Sequence, residues 1–190
     1  MKFPFILTIA AILAGFAASA RAAADDALWQ VLKGGGQVIL MRHAVTTPGI
    51  GDPPGMRVED CSTQRNLTDE GRRHARQIGE AVRAHGIVLD KVFSSPMCRC
   101  LETARLAFGR VDEALAVTSR AEEMPRQVRE MRALASEKRR GGSGNVVLVS
   151  HGTTIHAVTG VATHPGEMVI VTPQGDGIFE LRGKFMPAPP

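Results

Sequence analysis

The run Val38-Ile39-Leu40-Met41, followed at once by Arg42-His43, constrains this chain more than any other stretch. Four apolar residues after a glycine break (Gly34, Gly35, Gly36) read as a short buried strand. Arg42 and His43 then fall at its carboxyl end, and in open α/β sheets that end is where ligands sit. A fixed cation and a titratable ring delivered to one rim fill a core poorly. They are well suited to receiving a dianion.

The rest of the pattern supplies neighbours for that strand. Thr68 caps a helix whose first turn carries Asp69 and Glu70 and whose buried face (Ala75, Ile78, Gly79, Val82) runs to about His85, where Gly86 stops it. A strand over 87–94 ends on Ser94-Ser95-Pro96 and feeds a helix through Phe108; residues 115–117 read as a small strand, and 125–140 as a charged surface helix. Val146-Val147-Leu148-Val149 is the cleanest strand, delivering Ser150, His151 and Gly152 into a short helix over 153–161. Residues 168–171 and 178–181, separated by Pro-Gln-Gly-Asp-Gly, form a terminal hairpin. Alternating strands and helices predict an α/β fold: a three-layer sandwich, with a mostly parallel central sheet, helices on both faces and an antiparallel edge near the C-terminus. At 190 residues the chain accommodates one such domain, placed at 25–185.

The first 22 residues stand apart from it. Lys2, an apolar segment over 3–18 and small residues at Ala18-Ser19-Ala20 and Ala20-Arg21-Ala22 make the layout of a secretory signal cleaved after Ala20 or Ala22. The apolar run is short of the ~20 residues of a membrane span. The expectation is a periplasmic or secreted protein with no stable membrane insertion. Cleavage after Ala22 removes two of the 23 basic residues and none of the 19 acidic ones, halving the net charge of +4. The remaining basic cluster (Arg126, Arg129, Arg132, Lys138, Arg139, Arg140) reads as a solvated helix face. With seven Phe, one Trp and no Tyr, the chain lacks the aromatic platforms of a nucleic-acid surface. In an oxidising compartment Cys61 is expected to pair with Cys98 or Cys100, leaving one thiol over. Their spacing does not suit a zinc site.

Three strand ends therefore share a theme: Arg42 and His43; Ser94, Ser95 and a helix start carrying Arg99; His151 and Gly152. Two guanidiniums, two imidazoles and a helix N-terminus make a donor set for a phosphoryl group. A nucleophilic imidazole must be neutral, and adjacent cations lower its pKa. His43 then attacks phosphorus, Arg42 and Arg99 hold the phosphate, His151 donates to its oxygens, and water opens the phosphohistidine.

Leu40-Met41-Arg42-His43-Ala44, Asn66-Leu67-Thr68-x-x-Gly71, Ser94-Ser95-Pro96-x-x-Arg99-x-x-x-Thr103-Ala104 and Val149-Ser150-His151-Gly152 resemble, in order, four signatures of the histidine phosphatase superfamily, the phosphoglycerate-mutase-like group. The resemblance implies an exported branch-1-type phosphatase acting on a small phosphorylated substrate through His43, with Arg42, Arg99 and His151 completing the pocket and with no metal or organic cofactor. Ala44 stands where the family usually has glycine, a mild change that some members share. The leaving-group proton donor, commonly a glutamate between the third and fourth motifs, has no clear signature; Glu122 is the candidate, beside Glu123. Thr46, Arg65 and Gly152 are candidate substrate-binding residues, with loop packing the rival reading for Thr46 and an ordinary surface arginine for Arg65. His74, His85, His156 and His164 read as surface or capping residues, and Glu167 as an edge charge. The alternatives to a phosphomonoesterase are a phosphohistidine or phosphoramidate phosphatase, whose leaving groups need no acid, and a non-catalytic anion-binding module. A serine hydrolase lacks the Gly-x-Ser-x-Gly elbow, and neither Cys61 nor Cys100 lies in a glycine-rich phosphate loop.

Overall fold

In a computed structural model the described residues are 21–115, 123–138 and 144–188. The proposed signal segment, apart from residues 21–22, lies outside them, as does Glu122.

Strand β1 (Val38–Arg42) sits between β4 (Asn145–Ser150) and β5 (Met168–Gly175) in a six-stranded sheet completed by β2 (Leu89–Ser94), β3 (Glu113–Ala114) and β6 (Ile178–Phe185). The order is β3-β2-β4-β1-β5-β6. The first four strands run parallel, and β5 and β6 join antiparallel as the expected hairpin. Alternation along the strands assigns the two faces. Ile39, Met41, Val147 and Val149 point into one core, where residues 21–33 (helix α1), α2 (Asp69–Ala84) and α3 (Cys98–Phe108) contribute Leu28, Trp29, Leu32, Ile78, Val82, Cys100 and Ala104. Val38, Leu40, Val146 and Leu148 point into the other, filled by Met131 and Ala135 of α4 (Met124–Ser136) and Ile155 and Val158 of α5 (Gly152–Thr159). The three-layer α/β sandwich is the architecture expected.

The register matters for function. Arg42 pairs with Ser150 and Ser94 with Val149, so three parallel strands end level and release their next residues along one rim.

Several elements differ from expectation. The small strand lies at 113–114, because the Asp112 side chain accepts the Val92 amide and sets that pairing, with buried Leu115 following; residues 116–117 fall outside the described region. Helix α4 stops at Ser136 and buries Gln127, Met131 and Ala135. Helix α5 stops at Thr159, where Gly160 takes the left-handed conformation. Cys61 pairs with Cys98, and Cys100 is a buried free thiol. No described helix is long and apolar enough to cross a membrane.

Candidate active site

The rim opens into a cavity of about 510 Å³ lined by Arg42, His43, Arg65, Arg99, His151 and Gly152, among others. His43 leaves the end of β1 with its backbone amide bonded to Ser150 O and its ring buried. Its Nδ1 lies 2.8 Å from Ala44 O. A carbonyl oxygen only accepts, so Nδ1 carries the proton and Nε2 keeps its lone pair.

His151 leaves β4 as the N-cap of α5. Its Nε2 lies 2.9 Å from Ser95 Oγ, its Nδ1 lies 3.5 Å from an Arg99 guanidinium nitrogen, and its ring centroid is 5.7 Å from that of His43. The Ser95 hydroxyl both gives and takes, so it supports either tautomer: Nε2–H in the resting site, or Nδ1–H turned towards an anion.

Arg99, on the first turn of α3, is 1% exposed. One Nη donates to Asp52 Oδ1 at 2.9 Å, and Nε is buried without a protein partner. Arg42 donates to Thr163 O at 2.6 Å and also has an unsatisfied buried Nε. The Nε of Arg65 is unsatisfied as well, while its Nη donates to Thr46 Oγ1 at 2.6 Å. One buried and two half-buried guanidiniums around one cavity, each with a buried, unused Nε–H, want a multivalent acceptor.

Electrostatics keep the rings neutral. Burial, with Arg99, Arg42 and Arg65 adding to it against the opposing Ala44 hydrogen bond, pushes His43 down to about 3. Burial also holds His151 well below its usual value, helped by Arg99, His43, Arg65 and Arg42. The Cys100 thiol, 3.9 Å from both ring nitrogens of His151, is pushed up to about 12 by burial and stays protonated.

Residues 38–130 match the family model described as histidine phosphatase superfamily, branch 1. Over those residues the chain is similar to that superfamily. Among curated relatives it is 34% identical over 82 residues to the serine/threonine-protein phosphatase Pgam5, mitochondrial, of Drosophila virilis. That match covers 43% of this chain and 25% of the relative, so the chain spans about a quarter of the relative's length. Among solved structures, the protein histidine phosphatase SixA complexed with tungstate superposes with a TM-score of 0.58 at 18% identity, covering 80% of this chain and 97% of that one. Phosphoglycerate mutase from Bacillus anthracis str. Sterne gives 0.56 at 16% identity, covering 80% and 94%. At such identities the likeness is one of fold.

The packing shows why the motif residues sit where they do. Gly71 is packed against β1's exit: a Cβ there would lie 2.0 Å from Val45 O. Thr103 Oγ1 donates to Arg99 O and accepts the Ala44 amide, tying α3 to the residue after His43. A Cβ on Gly152 would lie 3.2 Å from Arg42 Cδ, so the small residue admits the guanidinium.

Of the residues expected from sequence, Arg42, His43, Arg65, Arg99, His151 and Gly152 line one cavity, and Thr46 stands behind them on Arg65. Glu123 caps α4 and pairs with Arg126 at 3.4 Å. Two residues went unread, Asp52 and Glu167. Asp52 lies in an aperiodic loop with no spacing signal, yet it lines the cavity. His156 is exposed, as expected, and also lines the cavity. Glu167, expected at an edge, is buried beneath Arg42, accepts the His164 amide at 2.8 Å and pairs with Lys184 at 3.0 Å.

Proposed function

We propose that this protein is an exported phosphomonoesterase that hydrolyses small phosphate monoesters through a phosphohistidine at His43. The observation that carries the reading is the pairing of a neutral, Nε2-lone-pair imidazole with three converging guanidiniums in one cavity. Phosphoryl transfer is mostly positioning and charge stabilisation, and this donor set supplies both. Arg99, Arg42 and Arg65 fork onto the phosphate oxygens and His151 turns Nδ1–H towards them. His43 Nε2 attacks in line as the ester oxygen leaves. Water then opens the phosphohistidine and restores the ring. Tungstate, the ligand named with the SixA structure, is a tetrahedral oxyanion of the kind such a pocket receives.

Export is part of the proposal. It rests on the layout of residues 1–22 and agrees with the Cys61–Cys98 disulfide. Secretion from an expressing bacterium should yield a mature N-terminus at Arg21 or Ala23; retention of Met1 in the cytosolic fraction contradicts it.

Replacing His43 with alanine should lower kcat/KM for 4-nitrophenyl phosphate at least about 10³-fold while the circular dichroism spectrum persists. Wild-type-like turnover in that variant removes the reading. A panel of alkyl, aryl and phosphohistidine-containing phosphates assigns the preferred substrate.

A further inference from the structure

The sequence offered no clear proton donor, and the structure offers one on a different element. We propose that Asp52, carried into the cavity by the loop between β1 and α2, is the acid that protonates the leaving group. This rests on the phosphomonoesterase reading and adds to it the group that lets the site take unactivated esters.

Among the described residues lining the cavity, Asp52 is the one carboxylate. Its Oδ1 accepts an Arg99 Nη at 2.9 Å and the Arg65 backbone amide at 3.0 Å, leaving the side chain 16% exposed. In the free protein a carboxylate thus rests on the guanidinium fork that an arriving phosphate also needs. The loop that holds it is anchored. Cys61 is bonded to Cys98 at the start of α3, Gln64 Oε1 accepts the Cys98 amide at 2.9 Å, and Gln64 Nε2 donates to Arg57 O and Val58 O. Arg99 and Asp52 are therefore held to the same end of α3. Gly49 and Gly55, both in the left-handed region, flank the residue and leave the backbone around it room to adjust.

Substrate changes the position of the proton. Burial draws the Asp52 carboxyl upward in the free site, but the Arg65 amide and the Arg99 guanidinium outweigh it and keep it ionised. A phosphate dianion that takes the Arg99 Nη removes that cation and sets a like charge beside the carboxylate. Both changes raise its pKa, and a substrate arriving as its monoanion brings the proton. His43 Nε2 then bonds to phosphorus, the P–O ester bond breaks, and the Asp52 proton passes to the departing oxygen, releasing the alcohol. In the second half, Asp52 takes a proton from the water whose oxygen bonds to phosphorus, the P–N bond breaks, and inorganic phosphate leaves with His43 neutral and Asp52 protonated again.

The test compares the full mature chain with D52N and D52E on 4-nitrophenyl, phenyl and glycerol phosphates, with inorganic tungstate as the binding probe. General-acid help is typically worth about 10²- to 10⁴-fold. D52N should therefore lose about that much kcat/KM on glycerol phosphate, and at least tenfold less on 4-nitrophenyl phosphate, whose leaving group needs little proton. D52E should recover part of the alkyl loss. Tungstate should bind D52N at least as tightly as wild type, because the competing carboxylate is gone. Equal losses across the three leaving groups, no loss on glycerol phosphate, or weaker tungstate binding overturns the assignment, the last by making Asp52 a positioning residue for Arg99. Should D52N fail to fold, the glycerol-to-nitrophenyl ratio of D52E decides: a fall supports the acid and an unchanged ratio rejects it. A wild-type protein without phosphohistidine would fail the phosphatase reading instead, a result these ratios do not touch.

Discussion

At the scale of single residues, the site depends on two imidazoles kept uncharged among cations. The unfolded chain protonates His43 near 6.5 and the folded one only near 3, so between those values the unfolded state binds a proton that the native state refuses. The sign follows: stability is unaffected above pH 6.5 and falls as pH drops through that window. The slope is about 1.4 kcal/mol per pH unit for His43, with His151 adding in the same direction. Chemical denaturation between pH 7 and pH 4 should show this fall, and His43→Gln should flatten it. The imidazole NMR shifts of His43 and His151 should stay level from pH 5 to pH 8; a midpoint near 6.5 for either ring contradicts the electrostatic account. The neutral state of His43 was legible from its arginine neighbours in sequence. Its tautomer was not, because Ala44 O reaches Nδ1 only through the bend of the backbone at the strand's exit.

At the scale of elements, strand ends and helix starts are what bring residues 42 to 152 together. Those were readable because each is marked twice: an apolar run gives the strand, and a polar residue after it gives the rim. Gly71 shows what such a motif glycine does, since helix α2 approaches Val45 with no room for a side chain. The blocking atom is backbone oxygen, which no rotamer change can move aside. Gly71→Ala should therefore cost on the order of 1–3 kcal/mol in urea unfolding and lower kcat/KM by shifting the chain beyond His43. A loss under 0.5 kcal/mol would mean that the close approach yields easily. The 46–64 loop was not legible in the same way. Its conformation comes from long-range ties, the disulfide to α3 and Gln64 to the Cys98 amide, and no periodicity encodes those. Asp52 was missed for that reason, and Glu167 because its partner Lys184 lies across the β5–β6 hairpin.

At the scale of the whole molecule, four parallel strands and an antiparallel pair place the two histidines on adjacent strands, β1 and β4, with Arg99 entering from the strand beyond. Three layers were predictable from composition and alternation; strand order was not, because pairing is set by packing between segments far apart in the chain. The fold thereby turns residues scattered over a hundred positions into one anion cavity, and the central claim is that this cavity forms a covalent intermediate. Rapid quenching of the mature protein with ³²P-labelled 4-nitrophenyl phosphate tests it most directly. Stoichiometric label is expected on the peptide containing His43, lost in acid, retained in base, and absent from His43→Ala. Acid-stable label on a serine, or label that survives in His43→Ala, would contradict it.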